Sequence, residues 1–351
     1  MDSARGRKVV IEKAGDFGAL QVRNFEPARP EPGSVRVRTS AVGVNYADCI
    51  VRMGLYASAA KYVGWPITPG FEFAGTVDAV GEGVTRVREG DVVYGVSRFG
   101  AYATHVTVDA SLVWPRPARF DDAQAAGFPA VNLTAWYALR ELVRVRKGNR
   151  ILIHSAGGGV GMAAVAIAKR LGASVVGVVG GSHKVDAVRA IGADLVIDKS
   201  TESLWAKAEA FAPEGYDVVL DPNGVETLTA SYDHTGSAGK LVVYGFQTMF
   251  TKGRGTPNWL KLGVDWMRTP RFDPLKLCDE NKSILAFNLS YLFDRADILG
   301  DAMGELTAWV DAAPDPLPAP VVREFLLDDV AKAHEALESG STIGKLVLRT
   351  S

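Results

Sequence analysis

The sequence is poor in the residues that bind metals or form disulfides. Its 351 residues contain only two cysteines and five histidines. The cysteines, Cys49 and Cys278, lie far apart in the chain and offer neither a disulfide framework nor a metal cluster. We therefore expect no metal site and a reducing, cytoplasmic environment.

Long apolar runs and an excess of one charge are also missing. No segment approaches the length of apolar sequence that spans a bilayer. The basic start, Met1-Asp-Ser-Ala-Arg-Gly-Arg-Lys8, has no apolar stretch of the kind found in secretory signals. A formal net charge of −1 argues against electrostatic binding of nucleic acid. We expect a soluble protein with a small-molecule ligand, no nucleic acid and no membrane span.

What the sequence does contain is a short strand, a glycine-rich turn and a helix in that order. The run Arg150-Ile-Leu-Ile153 precedes the turn, and residues 162–171 have the apolar spacing of a helix. Glycines allow the backbone to approach a pyrophosphate, and a helix N-terminus presents free N–H groups to it. The fingerprint begins with alanine where glycine is usual. The residues predicted to bind a dinucleotide are Ala156, Gly157, Gly158, Gly159, Val160 and Gly161.

The end of the next predicted strand indicates which dinucleotide binds. The apolar run 173–179 ends in Gly180-Gly-Ser-His-Lys184, where NAD-dependent enzymes place an acid on the adenosine ribose. No acid stands there. Ser182 and Lys184 would bind a 2′-phosphate, although a polar turn with an ordinary surface lysine is the alternative. The pattern favours NADPH over NADH, with Gly180 in the place of the acid.

The order of the patterns predicts two domains. Short strands separated by Gly and Pro turns are predicted at 8–12, 34–44, 75–80, 91–96 and 102–106. From about residue 126, strands alternate with helices, which indicates a parallel sheet covered on both faces. Its later strands are predicted at 217–221 and 240–245. Segment 247–279 has an irregular pattern typical of a surface excursion, and the tail returns to strand and helix.

Several blocks match one known family in order along nearly the whole chain. They are Ala41-Val-Gly-Val-Asn-Tyr-Ala-Asp48, Pro69-Gly-Phe-Glu-Phe-Ala-Gly75, Val80-Gly-Glu-Gly-Val84, Gly90-Asp91, Leu133-Thr-Ala-Trp-Tyr-Ala-Leu139, the glycine turn, Gly192-Ala-Asp194 and Asp217-Val-Val-Leu-Asp-Pro222. With these blocks the chain resembles the zinc-free quinone oxidoreductase branch of the medium-chain dehydrogenase/reductase superfamily. Phe287-Asn-Leu-Ser-Tyr-Leu292 is similar to the VAT-1-like subgroup.

The resemblance implies an α/β fold in which a doubly wound parallel Rossmann sheet is inserted into a GroES-like β domain. Residues 1–125 and 270–351 would form the GroES-like substrate domain. Residues 126–269 would form the Rossmann domain that binds NADPH. The active site would lie in the cleft of this architecture.

The resemblance also sharpens the expectation that no zinc is bound. Zinc-dependent relatives place a cysteine at the position of Asn45, a histidine at Phe71 and a second cysteine near Ala130. Phe71 and Ala130 have no side-chain donor for zinc. Without a Lewis acid, simple alcohol oxidation is disfavoured. Hydride delivery to a quinone or an α,β-unsaturated ketone is favoured, because its charge spreads onto a carbonyl oxygen that a few hydrogen bonds can stabilise.

Four residues are the catalytic candidates. Asn45 would polarise the substrate carbonyl, unless it is an amide that only fixes its loop. Tyr56, in Gly54-Leu55-Tyr56, matches a motif whose tyrosine donates the proton in related enoyl reductases. A half-buried structural aromatic is the alternative for Tyr56, and Tyr46 and Asp48 are reserves.

The resemblance implies further cofactor-binding residues. They are Asn45, Thr134, Asp221, Tyr244, Gly245, Phe287, Leu289 and Lys345. Lys199 replaces a tyrosine that many relatives carry. It would either pair with the 2′-phosphate or face solvent.

The predicted strand 287–292 would lie at the edge of the Rossmann sheet, where an apolar edge invites pairing. We therefore expect a homodimer. Two further functions stay open on the same scaffold: an enoyl reductase or cyclase that tailors natural products, and a regulatory or structural protein that binds NADPH without catalysis.

Overall fold

The computed structural model describes residues 5–350 and divides into two compact units. The first unit comprises the described residues up to Leu133, Lys252–Thr256 and those from Leu289 onward; the second comprises Thr134–Thr251 and Pro257–Asn288. Residues 1–4, with which the basic N-terminal stretch begins, and residue 351 lie outside the described part. The boundaries differ from those predicted at 125/126 and 269/270. A helix spans the first boundary, and a late strand extends the second unit beyond residue 270.

The strands follow one another along the whole chain. They are β1 (Gly6–Val10), β2 (Gln21–Phe25), β3 (Ser34–Val44), β4 (Glu72–Val80), β5 (Val92–Val96), β6 (His105–Asp109), β7 (Val113–Pro115), β8 (Arg150–Ile153), β9 (Ser174–Val179), β10 (Leu195–Asp198), β11 (Tyr216–Asp221), β12 (Thr235–Val243), β13 (Ser283–Ala286), β14 (Val322–Leu326) and β15 (Lys345–Arg349).

Most of the helices lie between the strands of the second unit or near the C-terminus. They are α1 (Tyr46–Arg52), α2 (Ala57–Tyr62), α3 (Asp122–Ala126), α4 (Pro129–Trp136), α5 (Gly159–Arg170), α6 (Val185–Ala190), α7 (Leu204–Phe211), α8 (Leu228–Asp233), α9 (Trp259–Arg268), α10 (Pro274–Asp279), α11 (Ala296–Val310) and α12 (Val330–Glu338). None of the helices within residues 5–350 is both long and apolar enough to cross a bilayer.

The first unit is built on a mostly antiparallel sheet. Its strand order is β14-β15-β3-β4-β5-β7, and β6 also pairs with β3. The inward side chains of β3, among them Val35 and Val37, are fully buried and form the core with residues such as Phe73 on β4. Strand β15 lies antiparallel to β3. The C-terminal tail therefore completes the N-terminal β domain, as predicted.

The second unit contains a parallel sheet of six strands. Its order is β10-β9-β8-β11-β12-β13, and every pairing is parallel. The chain order reverses beside β8, the strand that leads into the glycine turn. Ligands of such sheets bind at the carboxyl ends of the strands at this reversal. The predicted doubly wound parallel sheet is confirmed.

Segment 247–279 is not irregular, contrary to the prediction. It contains α9 and α10, and both helices begin with side-chain caps. The Asn258 side chain accepts a hydrogen bond from the Lys261 N–H, and the Asp273 side chain accepts one from the Leu275 N–H. Pro274 fits the first turn of α10 because its missing N–H needs no partner there. These caps were readable in the sequence.

Two predicted strands are also wrong. The edge strand of the parallel sheet is β13, whereas Leu289–Asp294 form a 3₁₀ helix. Within the first unit, Ser290 is buried and its hydroxyl bonds the Ser58 hydroxyl at 2.8 Å, a contact that holds this helix. The strand predicted at 102–106 begins only at His105. Before it, the backbone pairs elsewhere: the Tyr102 carbonyl accepts the Val9 N–H at 2.9 Å, and Ala103 forms an isolated bridge with Lys8.

The close approach of α5 to its own turn gives a testable prediction. A Cβ at Gly161 would lie 2.3 Å from the Ser155 carbonyl oxygen, whereas one at Gly300 in α11 would meet nothing within 4 Å. We expect Gly161→Ala to destabilise the protein by about 1–3 kcal/mol through overpacking. Gly300→Ala should be neutral or stabilising by up to about 1 kcal/mol. Thermal melting of both variants tests this, and equal melting temperatures would contradict the packing described.

Candidate nucleotide and catalytic sites

The glycine turn of the second unit has the shape that phosphate binding requires. Helix α5 begins at Gly159 with Gly158 as its N-cap. A Cβ at Gly158 would meet only the Ser155 carbonyl oxygen, at 3.4 Å. Ala156 is buried and its N–H donates to the Val178 carbonyl at 2.9 Å. The backbone therefore leaves an open approach to the N–H groups of a twelve-residue helix, with Val160 in its first turn.

Two lysines border this turn and the neighbouring strand end. The aliphatic part of Lys184 lies across Gly157, since a Cβ at Gly157 would be 2.9 Å from its Cδ. Lys199 lies beside Gly180, with its Cε 3.9 Å from where a Cβ would stand. The structure thus brings Gly180, Lys184 and Lys199 together at the carboxyl end of the sheet. A side chain at position 157 would displace Lys184.

An acid that the sequence analysis missed lies beneath Ser182. The Ser182 hydroxyl donates to Asp198 Oδ2 at 2.5 Å, and Asp198 Oδ1 accepts from the N–H and hydroxyl of Ser200. These hydrogen bonds, that of Ser182 first, lower the pKa of Asp198 to about 2. Asp198 is therefore ionised at pH 7, and its side chain is buried. Because it takes the Ser182 hydrogen, the Ser182 oxygen is an acceptor toward any other group.

Asp221 organises its own turn. Its Oδ1 accepts from the N–H groups of Asn223 and Gly224, and its Oδ2 accepts from the hydroxyls of Thr227 and Ser231. Asp221 is fully buried, so its carboxylate is satisfied within the protein. These bonds fix the end of β11, and the predicted contact of Asp221 with a cofactor stays a prediction.

His154 follows β8 and is also buried beside this turn. Its Nε2 bonds the Ser231 hydroxyl at 3.0 Å, and its Nδ1 has no hydrogen-bond partner. Burial lowers the pKa of His154 to about 4, so the ring is neutral at pH 7. The residues from 5 to 350 contain no group of His, Cys, Asp and Glu arranged to hold a metal ion.

The remaining residues that were predicted to bind the cofactor lie on separate elements of the two units. Tyr244 stacks on Phe287, with ring centroids 6.3 Å apart, after β12. A Cβ at Gly245 would approach the Pro222 carbonyl oxygen to 2.8 Å, so this position needs glycine. Thr134 is the first residue of the second unit, on α4, whereas Leu289 belongs to the first unit.

The first unit holds a buried polar cluster around Asn45. The Lys345 ammonium lies 2.6 Å from Glu72 Oε1 and 2.9 Å from the Val44 carbonyl oxygen, and it also donates to the Asn45 amide oxygen. Asn45 Nδ2 donates to Glu72 Oε1 at 3.0 Å. An ammonium has three hydrogens, and all three have acceptors here. In this structure Lys345 positions Asn45 and Glu72, and its predicted contact with a cofactor stays a prediction.

Two glycines make room for this cluster. A Cβ at Gly43 would lie 2.3 Å from Glu72 Oε1, and one at Gly127 would lie 2.9 Å from Lys345 Cγ. The second carboxylate oxygen of Glu72 accepts the Ala130 N–H at 2.7 Å. Asn45 is thus both an amide that fixes its loop and a polarised group, because its oxygen faces an ammonium.

Asp48 lies at one end of a second buried network. Its carboxylate accepts from the N–H groups of Asn45 and Gly70, at 2.8 and 2.7 Å, and from the Tyr102 hydroxyl at 3.1 Å. The Tyr102 hydroxyl also bonds His334 Nε2 at 3.2 Å. Burial raises the pKa of Asp48 to about 7 and lowers that of His334 to about 3.

The remaining catalytic candidates differ in their surroundings. Burial raises the pKa of the Tyr46 hydroxyl at the start of α1. Tyr56 is half-buried at the N-cap of α2, and its ring packs edge-on against Phe71 and Phe99 at 5.9 and 6.3 Å. This aromatic packing agrees with the structural alternative for Tyr56 and leaves its proposed chemical role untested.

The sequence analysis missed Glu72, Asp198, Tyr102 and His334. Glu72 had a readable signal, since it stands in the apolar run Phe71-Glu72-Phe73-Ala74, where an unpaired charge would be costly. Its partner, Lys345, stands in a similar run more than 270 residues later. Tyr102 and His334 gave no local signal, because only the fold brings them to Asp48.

Comparisons with known proteins agree with this architecture. Residues 31–118 match the alcohol dehydrogenase GroES-like domain, and residues 159–268 match the family described as zinc-binding dehydrogenase. The human synaptic vesicle membrane protein VAT-1 homolog is 30% identical over 329 residues, which are 94% of this chain and 82% of that protein. A mycobacterial phthioceranic/hydroxyphthioceranic acid synthase is 33% identical over 98% of this chain, which spans only 15% of that protein.

Solved structures are similar as well. The Escherichia coli quinone oxidoreductase complexed with NADPH has a TM-score of 0.81 and 28% identity, with 98% of this chain and 99% of that chain covered. The human VAT-1 homolog-like protein has a TM-score of 0.81 and 26% identity, with 99% and 98% covered.

The fold, the glycine turn and these matches define an oxidoreductase of the medium-chain dehydrogenase/reductase superfamily. Within it the chain belongs to the zinc-free quinone oxidoreductase branch that includes the VAT-1-like proteins. Both steps of the predicted family assignment are confirmed.

The raised pKa of Asp48 predicts a pH-dependent stability. The folded protein keeps this proton up to about pH 7, whereas an unfolded Asp loses it near pH 4. The contribution of Asp48 to stability is therefore full below about pH 4 and is lost as the pH rises to about 7. Relative to Asp48→Asn, the wild type should lose up to about 4 kcal/mol between pH 4 and pH 8. Chemical unfolding of both proteins across this range tests this, and a pH-independent difference would contradict it.

Proposed function

We propose that this protein is an NADPH-dependent reductase of quinones or α,β-unsaturated ketones that works without zinc. The observation that carries the proposal is the open glycine turn at the sheet reversal, bordered by Lys184 and Lys199. A structure similar to this one, the Escherichia coli quinone oxidoreductase, was solved with NADPH. We infer the substrate class from the family branch and from Asn45, Phe71 and Ala130. These residues stand where the resemblance places the zinc ligands of zinc-dependent relatives.

The second unit fits a phosphorylated dinucleotide. The N–H groups at the start of α5 would receive the pyrophosphate, and the lysines beside Gly157 and Gly180 would attract a 2′-phosphate. When bound, NADPH supplies the hydride. The protein's part in this unit is to bind and orient.

The first unit supplies a polarised hydrogen-bond donor. One hydrogen of the Asn45 amide is bonded to Glu72, and the buried Lys345 ammonium on the amide oxygen makes the other hydrogen a stronger donor. A donor of this kind stabilises the negative charge that develops on a carbonyl oxygen during conjugate reduction. We propose this role for Asn45 and the role of proton donor for Tyr56, with Tyr46 in reserve. Asp48 is bonded on both oxygens and acts through Asn45.

A second candidate function is reduction of enoyl thioesters in a biosynthetic pathway. It is supported by the 33% identity between nearly the whole chain and a segment that is 15% of the mycobacterial phthioceranic/hydroxyphthioceranic acid synthase. Turnover of an enoyl thioester much faster than of free quinones and enones would favour it. Binding of NADPH without turnover of either class would favour a non-enzymatic role.

We also propose a cytoplasmic homodimer. The proposal is supported by the two free cysteines, Cys49 and Cys278, and by the open edge of the parallel sheet at β13. Strand β13 pairs with β12 and with no other described strand.

Cofactor choice gives a first test of the proposal. We expect NADPH to bind at least tenfold more tightly than NADH, which corresponds to about 1.4 kcal/mol. Lys184→Ala should weaken NADPH binding much more than NADH binding. Asp198→Asn should increase the preference for NADPH, because it removes a negative charge and leaves only a neutral acceptor for the Ser182 hydroxyl. Fluorescence titration measures the NADPH and NADH affinities of the wild type and of each variant. Lys169→Ala is the control, since Lys169 pairs with Asp194. Equal affinities for the two nucleotides in the wild type would contradict the proposal.

The proton donor gives a second test. A general acid contributes about a hundredfold or more in rate, so Tyr56→Phe should lower kcat on an enone and leave NADPH affinity unchanged. A quinone should be reduced nearly normally, because the acidic hydroquinone product can be protonated by solvent. Phe99→Leu, which changes the ring packing around Tyr56 but removes no hydroxyl, is the matched control. Wild-type rates of Tyr56→Phe on both substrates would make Tyr56 structural.

A further inference from the structure

The first unit contains a groove that is lined by basic and hydroxyl side chains. It has a volume of about 550 Å³, which lies within the range of roughly 300–1,000 Å³ that is usual for small-molecule sites. Three arginines, one histidine, one asparagine and five serine or threonine residues line it, and none of its described lining residues is an acid. We name it the arginine groove, after Arg5, Arg7 and Arg38.

The sheet of the first unit holds Arg38 between two polar neighbours. Val37 of β3 points into the core, so Arg38 stands on the opposite face of the strand. Its cross-strand partners are Thr76 on β4 and His105 on β6. Side chains in such pairs share one face of a sheet. The three side chains therefore form one polar row in the lining of the groove.

Arg38 has no partner in the described structure, whereas its neighbour Arg36 is engaged. The Arg36 guanidinium donates to Asp78 at 2.9 Å and to the carbonyl oxygens of Pro27 and Ala28 at 3.1 and 3.0 Å. Arg38 is exposed, and it forms no ion pair and no side-chain hydrogen bond within residues 5–350. A guanidinium has five N–H donors, so those of Arg38 are available to a ligand.

Arg7 lines the groove from the two-stranded ribbon of β1 and β2. Its backbone is fixed beside β6, because its N–H donates to Thr104 Oγ1 at 2.9 Å and its carbonyl oxygen accepts the Thr104 N–H at 2.8 Å. Only Nη1 of its side chain is used, in an ion pair with Asp328 at 2.9 Å. Nε and Nη2 of Arg7 have no partner among the described residues. A second arginine is thus held at the groove with donors to spare.

Buried hydroxyl groups fix the wall between these arginines. Thr39 and Thr350 line the groove and are only 4% and 5% exposed. The Thr39 hydroxyl donates to the Ala103 carbonyl oxygen at 2.6 Å, and the Thr350 hydroxyl donates to the Thr39 carbonyl oxygen at 2.6 Å. These bonds join β3 to the segments before β6 and after β15. The wall is therefore already formed, which reduces the cost of ordering it around a ligand.

The positive charge of the groove is not neutralised by its own lining. Asp328 and Asp78 pair with Arg7 and Arg36, but neither acid lines the groove. Burial lowers the pKa of His105, so this ring adds no charge at pH 7. The chain as a whole has a formal net charge of −1, so the basic character is local. A cleft lined by charge of one sign concentrates ligands of the opposite sign.

The arrangement of the donors favours phosphate over carboxylate. Arginine binds both groups through paired N–H donors. Here the donors come from three separate strands: Arg7 on β1, Arg38 on β3 and Thr76 on β4. A tetrahedral phosphate presents oxygens in several directions, whereas a carboxylate presents two oxygens in one plane. Two arginines on different strands suit a ligand with more than one phosphate group.

We propose that the arginine groove binds a small molecule with at least two phosphate groups, and that Arg7 and Arg38 are its principal contacts. The inference goes beyond the proposed reduction. All the lining residues belong to the first unit, whereas the glycine turn belongs to the second. The groove is therefore a site separate from the pyrophosphate position at the start of α5.

The probe is inorganic pyrophosphate, titrated into the full chain at constant ionic strength and with saturating NADPH. Proton NMR follows the histidine rings. His105 lines the groove and His183 stands next to Lys184 in the chain, so the two rings report the groove and the nucleotide turn separately. We expect the His105 resonance, identified by its loss in His105→Gln, to shift to saturation while that of His183 stays in place. Inorganic phosphate and citrate should each bind at least tenfold more weakly than pyrophosphate.

Arginine variants decide whether the groove is the site. Arg38→Gln and Arg7→Gln should each weaken pyrophosphate binding at least tenfold and leave NADPH affinity unchanged. Arg29→Gln, at an exposed arginine of the same unit that does not line the groove, is the matched control and should bind as the wild type does.

Two results would overturn the inference: a His105 resonance that does not move, or wild-type affinity in both groove variants. Citrate binding as tight as that of pyrophosphate would overturn the assignment to phosphate. The His105 signal requires no turnover. A protein that reduces neither quinones nor enones can therefore still confirm this inference, and an active reductase can still contradict it.

Discussion

A buried ammonium and a buried carboxylate determine the geometry of the candidate catalytic site. Lys345 and Glu72 are both almost completely shielded from water and lie 2.6 Å apart. Removing either would leave an uncompensated charge, which typically costs about 3–5 kcal/mol. The pair therefore obliges three distant segments to meet: the end of β3 with Asn45, the start of β4 and the start of β15. Gly43 and Gly127 are required because any side chain there would occupy the space of the pair.

The ammonium of this pair faces the amide oxygen of Asn45, while the carboxylate of Glu72 keeps the pair neutral overall. The resemblance implies that zinc-dependent relatives hold their first zinc ligand at the position of Asn45, and here the amide lies between an ammonium and a carboxylate. The Lys345 ammonium cannot accept electron pairs as zinc does. Its fixed charge polarises the Asn45 amide without moving during the reaction. This arrangement suits a reduction in which negative charge is spread over a conjugated system. The Asp48, Tyr102 and His334 network holds the backbone of the same residue from the other side.

The local parts of this structure were predictable from the sequence. The Rossmann strands and the turn at 156–161 follow from apolar runs, glycine spacing and helix periodicity, which depend on neighbours in the chain. The partners of buried charges were not predictable, because Glu72 and Lys345, or Ser182 and Asp198, are brought together only by sheet order. Residues 287–292 looked like a strand because of their apolar content, yet Ser290 turns inward to Ser58.

The second unit contains groups that favour binding of NADPH and one group that opposes it. Lys184 and Lys199 favour a phosphate, whereas Asp198 takes the one hydroxyl hydrogen that Ser182 could give it. The lysines outweigh the acid in this account because Asp198 is buried and its carboxylate is already bonded by Ser182 and Ser200.

The most direct test of the central claim is the fate of the hydride. NADPH carrying deuterium at C4 of the nicotinamide, in each of its two stereochemical forms, is supplied with an α,β-unsaturated ketone, and the product is analysed by NMR. The account predicts that deuterium from one form only appears at the β-carbon of a saturated ketone. Deuterium at the carbonyl carbon of an alcohol, or no transfer from either form, would contradict it.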